Sequence, residues 1–367
     1  MTTKLNGALA LTALLTTTAL TAQADTIRAT SGFGPAHVLA TEVFPVTFEK
    51  LGELTDGNWD GQDTPSGLVA PNEMSNALRD GVTEMGTLLM PYFVAEYPEA
   101  GLVAELSMLG SNNNVISSAV TEYIATCEPC LAEFSKNGQV YLASDATPLY
   151  QILSTEPVES LSDMQGMKLR TGSPFYASLV ESLGGEPVQM SSSELFEGLS
   201  QGVIDGTVSS AHEIIANRLG DVVGNVTEID EGNFTGATVA AGKMLWDRMS
   251  AEERKALVVA AQYGVAKGLV GFNEQVEEAR AMEGMNFITP AEDLTSAIET
   301  FNEERLAGAA AILEERGVTD AQTKIDRYAA LIEKWEGLVN AETPYEEVAR
   351  IREEEIWSEI DFNSYGM

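Results

Sequence analysis

The pattern Glu73-Met-Ser-Asn-Ala-Leu78-Arg-Asp-Gly81-Val82-Thr-Glu84 returns as Glu194-Leu-Phe-Glu-Gly-Leu199-Ser-Gln-Gly202-Val203-Ile-Asp205, a step of 121 residues from position 73 to position 194. In both copies an acid opens the run, a Leu follows five positions later, Gly-Val occupies positions eight and nine, and an acid sits at eleven. Each copy reads as an amphipathic helix ended by a glycine, which takes the positive φ of a helix terminus at little steric cost, and then a short strand. Two such units favour two α/β lobes of similar build. Helix-glycine-strand units are common in α/β proteins, so a single sheet is the rival reading. A chain of 367 residues fits two domains, and 44% hydrophobic residues suffice to bury a core in each.

The first 24 residues do not belong to that fold. Lys4, the apolar stretch Gly7 to Leu15 with Thr12 alone polar, and the small residues of Ala22-Gln23-Ala24 form a secretory signal pattern, with cleavage expected after Ala24. The threonines that follow keep the apolar stretch below the roughly 20 residues a membrane helix needs. Export to the periplasm is the expectation, with no Cys placed for a lipid anchor. The formal charge of −35 excludes nucleic acid and anionic lipid as partners, since binding a polyanion rests on Lys and Arg displacing counterions. An acidic small molecule would therefore need a local, sheltered positive site.

Outside the cytosol, the spacing Cys127-Glu-Pro-Cys130 points to a small disulfide. A thiol redox site at a strand-to-helix junction is one rival. A zinc site is another, although no further Cys exists and His37 and His212 lie far away in sequence.

Thr26 to Thr30 alternates as a strand, Ser31-Gly-Phe-Gly-Pro-Ala-His37 forms a glycine loop, and 38–51 is helical in pattern. His37 sits in that loop, where it lines any pocket the loop borders or else serves as an exposed or capping residue. Strands are expected over 138–143 and 168–170, and Ser173-Pro174 opens a helix that reaches Leu183 before Gly184-Gly185. Helices are expected over 246–264, 269–283, 294–316 and 323–338, and the stretch from Tyr345 to Tyr365 is expected to pack on the outside.

Catalytic signatures are scarce. The chain has two histidines and lacks a Gly-x-Ser-x-Gly elbow, a His-Glu-x-x-His helix, a phosphate loop and an Asp-rich calcium loop. His212 stands beside Ser209, Ser210 and Glu213, but a catalytic triad is a spatial arrangement and not a run of neighbours. Arg170 carries more weight. It ends the strand Met167-Lys168-Leu169-Arg170, just before a helix N-terminus, where open α/β sheets bind ligands. A guanidinium there offers a rigid two-donor fork to a carboxylate, and the helix terminus adds positive potential. The rival is a structural ion pair with one of 56 acids.

Three stretches then carry a resemblance: Leu161-Ser-Asp-Met-Gln-Gly166-Met-Lys168-Leu-Arg170, Leu183-Gly-Gly-Glu-Pro187-Val-Gln-Met190-Ser-Ser-Ser-Glu194-Leu-Phe, and Leu199-Ser-Gln-Gly202-Val203-Ile204-Asp205-Gly206. In them the chain resembles the DctP-like periplasmic solute-binding proteins of TRAP transporters, with weaker similarity from Gly32 through Trp246. The resemblance implies two α/β lobes, each a central mostly parallel sheet flanked by helices, closing over an organic acid that is passed to a membrane permease pair. It implies that Arg170 holds the ligand carboxylate. It implies that Phe33, Met90, Tyr92 and Phe234 approach the cleft, with core packing as the rival for each.

Three departures narrow the ligand. Tyr150 stands where many members carry a second arginine, Ser192 replaces a frequent pocket Phe, and Ser209 stands where the family usually has a ligand-touching Asn. The expected ligand has one carboxylate and an apolar or hydroxylated remainder, with Tyr150 and Ser209 as supporting donors. The expected lobes are 25–149 with about 236–290, and 150–235, with hinges near 148–151 and 234–237. A long helix at 291–318 would brace both, and 319–367 would lie outside. No cofactor is expected, and the receptor is expected to be a monomer. Two other functions remain open at this stage: a periplasmic enzyme, either a hydrolase using His212 or a thiol redox protein, and a ligand sensor for a signalling partner.

Overall fold

A computed structural model of the chain describes residues 24–65 and 67–367. All of the expected signal segment except Ala24 lies outside the described residues.

The first lobe is built from β1 (Asp25–Thr30), α1 (Phe44–Leu54), β2 (Trp59–Asp63), α2 (Met74–Arg79) and β3 (Met85–Leu89). β1 lies in parallel between β2 and β3. Helices α3 (Leu102–Glu105), α4 (Asn113–Ala125) and α5 (Glu128–Lys136) lead into β4, a strand of 16 residues from Gln139 to Ser154. The second lobe repeats the first arrangement. In it β5 (Lys168–Thr171), α6 (Pro174–Ser182), β6 (Glu186–Gln189), α7 (Leu195–Ser200) and β7 (Gly206–Ser210) follow in turn, and β5 lies in parallel between β6 and β7. The chain continues through α8 (Glu213–Ala216), β8 (Asn225–Thr227), β9 (Asn233–Gly242), α9 (Lys243–Trp246) and α10 (Ala251–Ala281). It ends with β10 (Asn286–Ile288), α11 (Glu292–Glu315), α12 (Ala321–Glu336) and α13 (Tyr345–Arg352).

Strand order is β2-β1-β3-β9-β4-β7-β5-β6, so the fold is the expected α/β architecture of two sheets flanked by helices. The parallel pairs belong to the repeated units, and antiparallel pairing appears where β4 and β9 run between them. β4 pairs with β9 as far as Leu149 and with β7 from Tyr150 onward. This strand is buried along almost its whole length, polar residues included, because both its faces are covered.

The repeated sequence pattern is a repeated structure. α2 ends at Gly81 (φ 72°) and α7 at Gly202 (φ 66°), and the next residue in each case, Val82 or Val203, donates its N–H back into the helix at 2.9 Å. Positive φ with this back-bond is the geometry that a side chain at either position would strain.

Three expectations need correction. The helices expected over 246–264 and 269–283 are one helix of 31 residues, α10. Its glycines are contact points and not breaks: a Cβ at Gly264 would lie 2.0 Å from Thr47 Oγ1, and one at Gly268 would lie 2.4 Å from Val43 Cγ2. The missing side chains let α10 pack closely on the first lobe.

Bracing is also shared differently from the expected single helix at 291–318. α10 packs on α1 and β4, and its last turns bury Ala279 in the second lobe's core with Leu195, Ile214 and Val226. α11 packs on α6 and is pinned to the first lobe by Arg305, which pairs with the buried Glu105, as Arg316 also does at 2.8 Å. The segment 282–290 belongs with the second lobe, because β10 pairs with β8 there.

The C-terminal stretch, finally, enters the core. Tyr365 donates its hydroxyl to Tyr141 O at 2.9 Å, Trp246 Nε1 donates to Tyr365 O at 2.9 Å, and the buried Arg352 donates to Ser117 and Ser118. Aromatic bodies with a polar tip pack inward once the tip finds a partner.

Candidate functional site

Arg170 is the penultimate residue of β5 and has 2% of its surface exposed. β5 places it, and Ser173 caps the following helix while Pro174 starts it, so a helix N-terminus opens beside the guanidinium. Two of its donors are occupied: Nε donates to Met190 O at 3.0 Å and Nη2 to Tyr92 Oη at 2.8 Å. None of the ion pairs among the described residues involves Arg170. A buried guanidinium held by neutral acceptors, without a carboxylate, retains charge for an incoming anion. Gly172 leaves it room, since a Cβ there would lie 3.3 Å from Nη2.

Tyr92 belongs to the first lobe, yet its hydroxyl accepts from both Arg170 Nη2 and Ser192 N, at 2.8 and 3.2 Å, in the second. It therefore latches the lobes together over the cavity. The hydroxyl of Ser192 is buried without a partner on the same side.

The space beside Arg170 is small, about 40 Å³. Arg170, Ser192 and Glu213 line one part of it. Aromatic rings form much of the remaining wall. Phe33 stacks on His37 with ring centres 4.2 Å apart, and Phe272 meets His212 edge-on at 4.7 Å. Tyr150 stacks between Tyr176 at 4.5 Å and Phe234 at 5.8 Å. Leu39, Leu89, Asp145, Thr147 and Ala237 complete it. The lining, aromatic rings with a few polar groups, suits a small ligand with an apolar body and a few polar anchors.

Both histidines are neutral parts of the wall. Burial pushes His37 down to about 3, and its Nδ1 accepts from Leu39 N at 3.2 Å. Burial, with His37 alongside, holds His212 well below the usual imidazole range. Burial pushes the Glu213 carboxyl up to about 7, restrained by Arg170 and the Asn217 amide, and burial alone pushes Asp145 up to about 7. Burial raises the Tyr150 phenol above its ordinary range, so it stays a neutral donor.

Seven of the nine ligand candidates meet in this one space: Arg170, Tyr150, Ser192, Phe33, Tyr92, Phe234 and His37. Met90 and Ser209 do not. Met90 is buried beside Pro91 and Phe175, lining a separate small cavity, and Ser209 is enclosed in the sheet with its hydroxyl unpartnered, opposite Gln151 of β4. Arg170 itself is held by Tyr92 and the Met190 carbonyl, and Tyr150, expected as a supporting donor to the ligand carboxylate, lines the same space. Leu39, Leu89 and Phe272 carry no signal in sequence, since each sits in an apolar run whose default place is the core. Asp145 had one: a lone acid just after the apolar run from Val140 to Ala143.

Cys127 and Cys130 form the expected disulfide, with Cα atoms 5.2 Å apart, and both are buried at the start of α5 away from the cavity. Among the described residues, no cluster of three or more His, Cys, Asp or Glu is placed to hold a metal ion. No helix among them is long and apolar enough to cross a membrane.

A family profile described as bacterial extracellular solute-binding protein, family 7 (DctP), matches residues 42–306. The chain belongs to the DctP family. A solute-binding protein from Roseobacter denitrificans is 26% identical to this DctP protein over 220 residues, 58% of this chain and 65% of that one. Two solved structures share the fold. A TRAP periplasmic solute-binding protein from Bordetella bronchiseptica with bound (R)- and (S)-mandelate has a TM-score of 0.74 at 18% identity, covering 84% of this chain and 99% of that one. A marine metagenome TRAP solute-binding protein specific for aromatic acid ligands, in complex with 3-hydroxybenzoate, has a TM-score of 0.75 at 20% identity, covering 85% and 99%. DctP family members are solute receptors of the periplasm.

Proposed function

We propose that this DctP-family chain is the periplasmic receptor of a TRAP transporter. It binds an organic acid with one carboxylate and an apolar or hydroxylated remainder through Arg170, and it delivers that acid to the membrane permease subunits without making or breaking a bond. It is exported with cleavage after Ala24 and acts as a monomer.

The observation that carries this reading is the buried Arg170, free of any ion pair among the described residues and facing an aromatic-walled cavity. A single guanidinium matches a single carboxylate. A second arginine is missing because Tyr150 fills that place as a stacked neutral ring. The two structural neighbours support the ligand class, since mandelate and 3-hydroxybenzoate each carry one carboxylate beside an aromatic ring.

Catalysis by the two histidines is disfavoured because burial holds His37 down to about 3 and His212 well below the usual imidazole range, and such an imidazole is a weak base at neutral pH. The test is a thermal-shift screen of organic acids on the purified, exported protein, followed by calorimetry on the hits and mass spectrometry of the recovered ligand. Monocarboxylates should raise the melting temperature and be recovered unchanged. Stabilisation by dicarboxylates alone, or recovery of a converted product, would overturn the reading.

A further inference from the structure

Asp145 has no evident structural purpose. It lies in the middle of β4, is 4% exposed, and its Oδ1 is buried without a hydrogen-bond partner. A buried carboxylate left unpaired is destabilising, and replacing it by an apolar residue would remove that cost.

The backbone around it is built to aim it. β4 and β9 slip in register here: Ser144 is opposite Thr238 and Ala146 is opposite Thr235, so Gly236 and Ala237 of β9 face Asp145 alone. Two residues against one is a β-bulge, a device that re-aims a side chain out of the regular pleat. Asp145 and Ala237 both line the cavity that holds Arg170.

The two ends of that cavity differ. Glu213 feels the guanidinium, whereas the shift of Asp145 comes from burial alone with no contribution from Arg170. Strand register separates them as well: Arg170 pairs with Thr207 and Thr207 with Leu153 of β4, eight residues beyond Asp145 (153 − 145), so the Asp145 carboxyl sits away from the positive end of the space that both line. A ligand carboxylate cannot rest against it without repulsion. A ligand hydrogen-bond donor can, and it would supply the missing partner of Oδ1.

We propose that Asp145 is a specificity-determining residue: it takes a hydrogen-bond donor, a hydroxyl or an ammonium group, carried by the ligand at the end remote from the carboxylate that Arg170 holds. This rests on the reading of the cavity as the ligand site. The ligand class then narrows to aromatic or similarly flat monocarboxylates bearing a distal donor, and a purely apolar remainder is disfavoured.

Calorimetry with benzoates substituted at the 3 or 4 position by methyl, hydroxyl or aminomethyl tests this on wild type, Asp145→Ala, Asp145→Asn and Arg170→Ala. Wild type should bind a hydroxyl or aminomethyl acid about tenfold or more tightly than the methyl analogue, the scale expected when a buried acceptor is satisfied or left unpaired. In Asp145→Ala that preference should fall to within about twofold. The near-isosteric Asp145→Asn separates the two donors: a neutral acceptor keeps the hydroxyl preference and loses the ammonium preference.

A wild type that favours the methyl analogue, or an Asp145→Ala protein with a native melting transition and undiminished preference, would overturn the assignment. So would a wild type that binds none of these acids. Arg170→Ala with unchanged affinity would instead overturn the receptor reading on which the assignment rests, so the two failures are distinguishable.

Discussion

The two lobes are built from one plan and differ at one decisive position. In the first, Glu84 N donates to Arg28 O at 2.8 Å and Arg28 N donates to the Glu84 carboxylate at 2.9 Å. In the second, Asp205 N donates to Lys168 O at 2.8 Å and Lys168 N donates to the Asp205 carboxylate at 2.9 Å. Two residues further along the equivalent strands, Thr30 pairs with Gly86 and Arg170 with Thr207. The same scaffold position thus holds a buried threonine whose hydroxyl is unpartnered in one lobe and the cavity's guanidinium in the other. The scaffold sets where a side chain emerges, and the identity of that side chain sets which lobe carries the charge. The first lobe answers with Tyr92, which crosses the cleft to accept from that guanidinium.

Transplanting the first lobe's residue is the strongest test of this difference. Arg170→Thr should leave the fold intact by circular dichroism and weaken binding of the screened monocarboxylate by at least about 2 kcal/mol, the scale of a broken buried charge pair, read by calorimetry. Retained affinity would mean that the lobes do not divide the work in this way.

The strand shared by both lobes gives the next largest effect. The Asp145 carboxyl ordinarily titrates at 3.8 and is pushed up to about 7 by burial. Between those values the folded protein binds more protons than the unfolded chain, so this group lowers stability as pH rises from about 4 to about 7. Asp145→Asn removes the titration. Relative to wild type, the ligand-free variant should therefore gain stability over that range, by up to about 1.4 kcal/mol for each pH unit crossed. Urea melts at pH 4.5 and 7.5 measure the change in the difference, to which Glu213 and Glu231, buried in both proteins, contribute equally. A constant difference would refute the burial argument.

Tyr92→Phe cuts the latch between the lobes. It should cost about 1 kcal/mol of ligand affinity, one hydrogen bond to a charged donor, mainly as faster dissociation in stopped-flow. An unchanged dissociation rate would show that the lobes are held elsewhere.

The smallest effect tests their likeness. Gly81→Ala and Gly202→Ala should each destabilise by about 1 kcal/mol through positive φ, and by the same amount within about 0.5 kcal/mol. A Cβ at Gly81 would meet Met244 Cε at 2.0 Å while one at Gly202 meets nothing, but the Met244 side chain is exposed and can swing away. Unequal melting shifts would mean that the two units are alike in pattern only.

Much of this was legible in sequence because it is local. Gly81 and Gly202 marked two helix ends, Ser173-Pro174 marked the start of α6, and a strand ending in arginine before that helix marked the positive anchor. The spacing of two cysteines was enough for a disulfide once export was read from the first residues. Local reading misled where a residue type has two meanings. The gap expected between helices at 264 and 269 is absent because Gly264 and Gly268 are packing contacts, and close approach by Val43 and Thr47 is a property of another part of the chain. Tyr365 reads as an outside residue from its neighbours alone because its partners, Tyr141 and Trp246, lie more than a hundred residues away.

By itself, then, the chain's sequence determined the two α/β units, their caps and turns, and the cation Arg170 on β5, all of which depend on a few neighbouring residues and on backbone sterics. Tertiary structure alone decided which lobe-one side chain meets that cation, which rings wall the cavity, and that an acid in mid-strand faces the same space. Those choices follow from strand register, the bulge opposite Asp145 and the approach of the two lobes, and each is a sum of contacts between residues far apart in the chain.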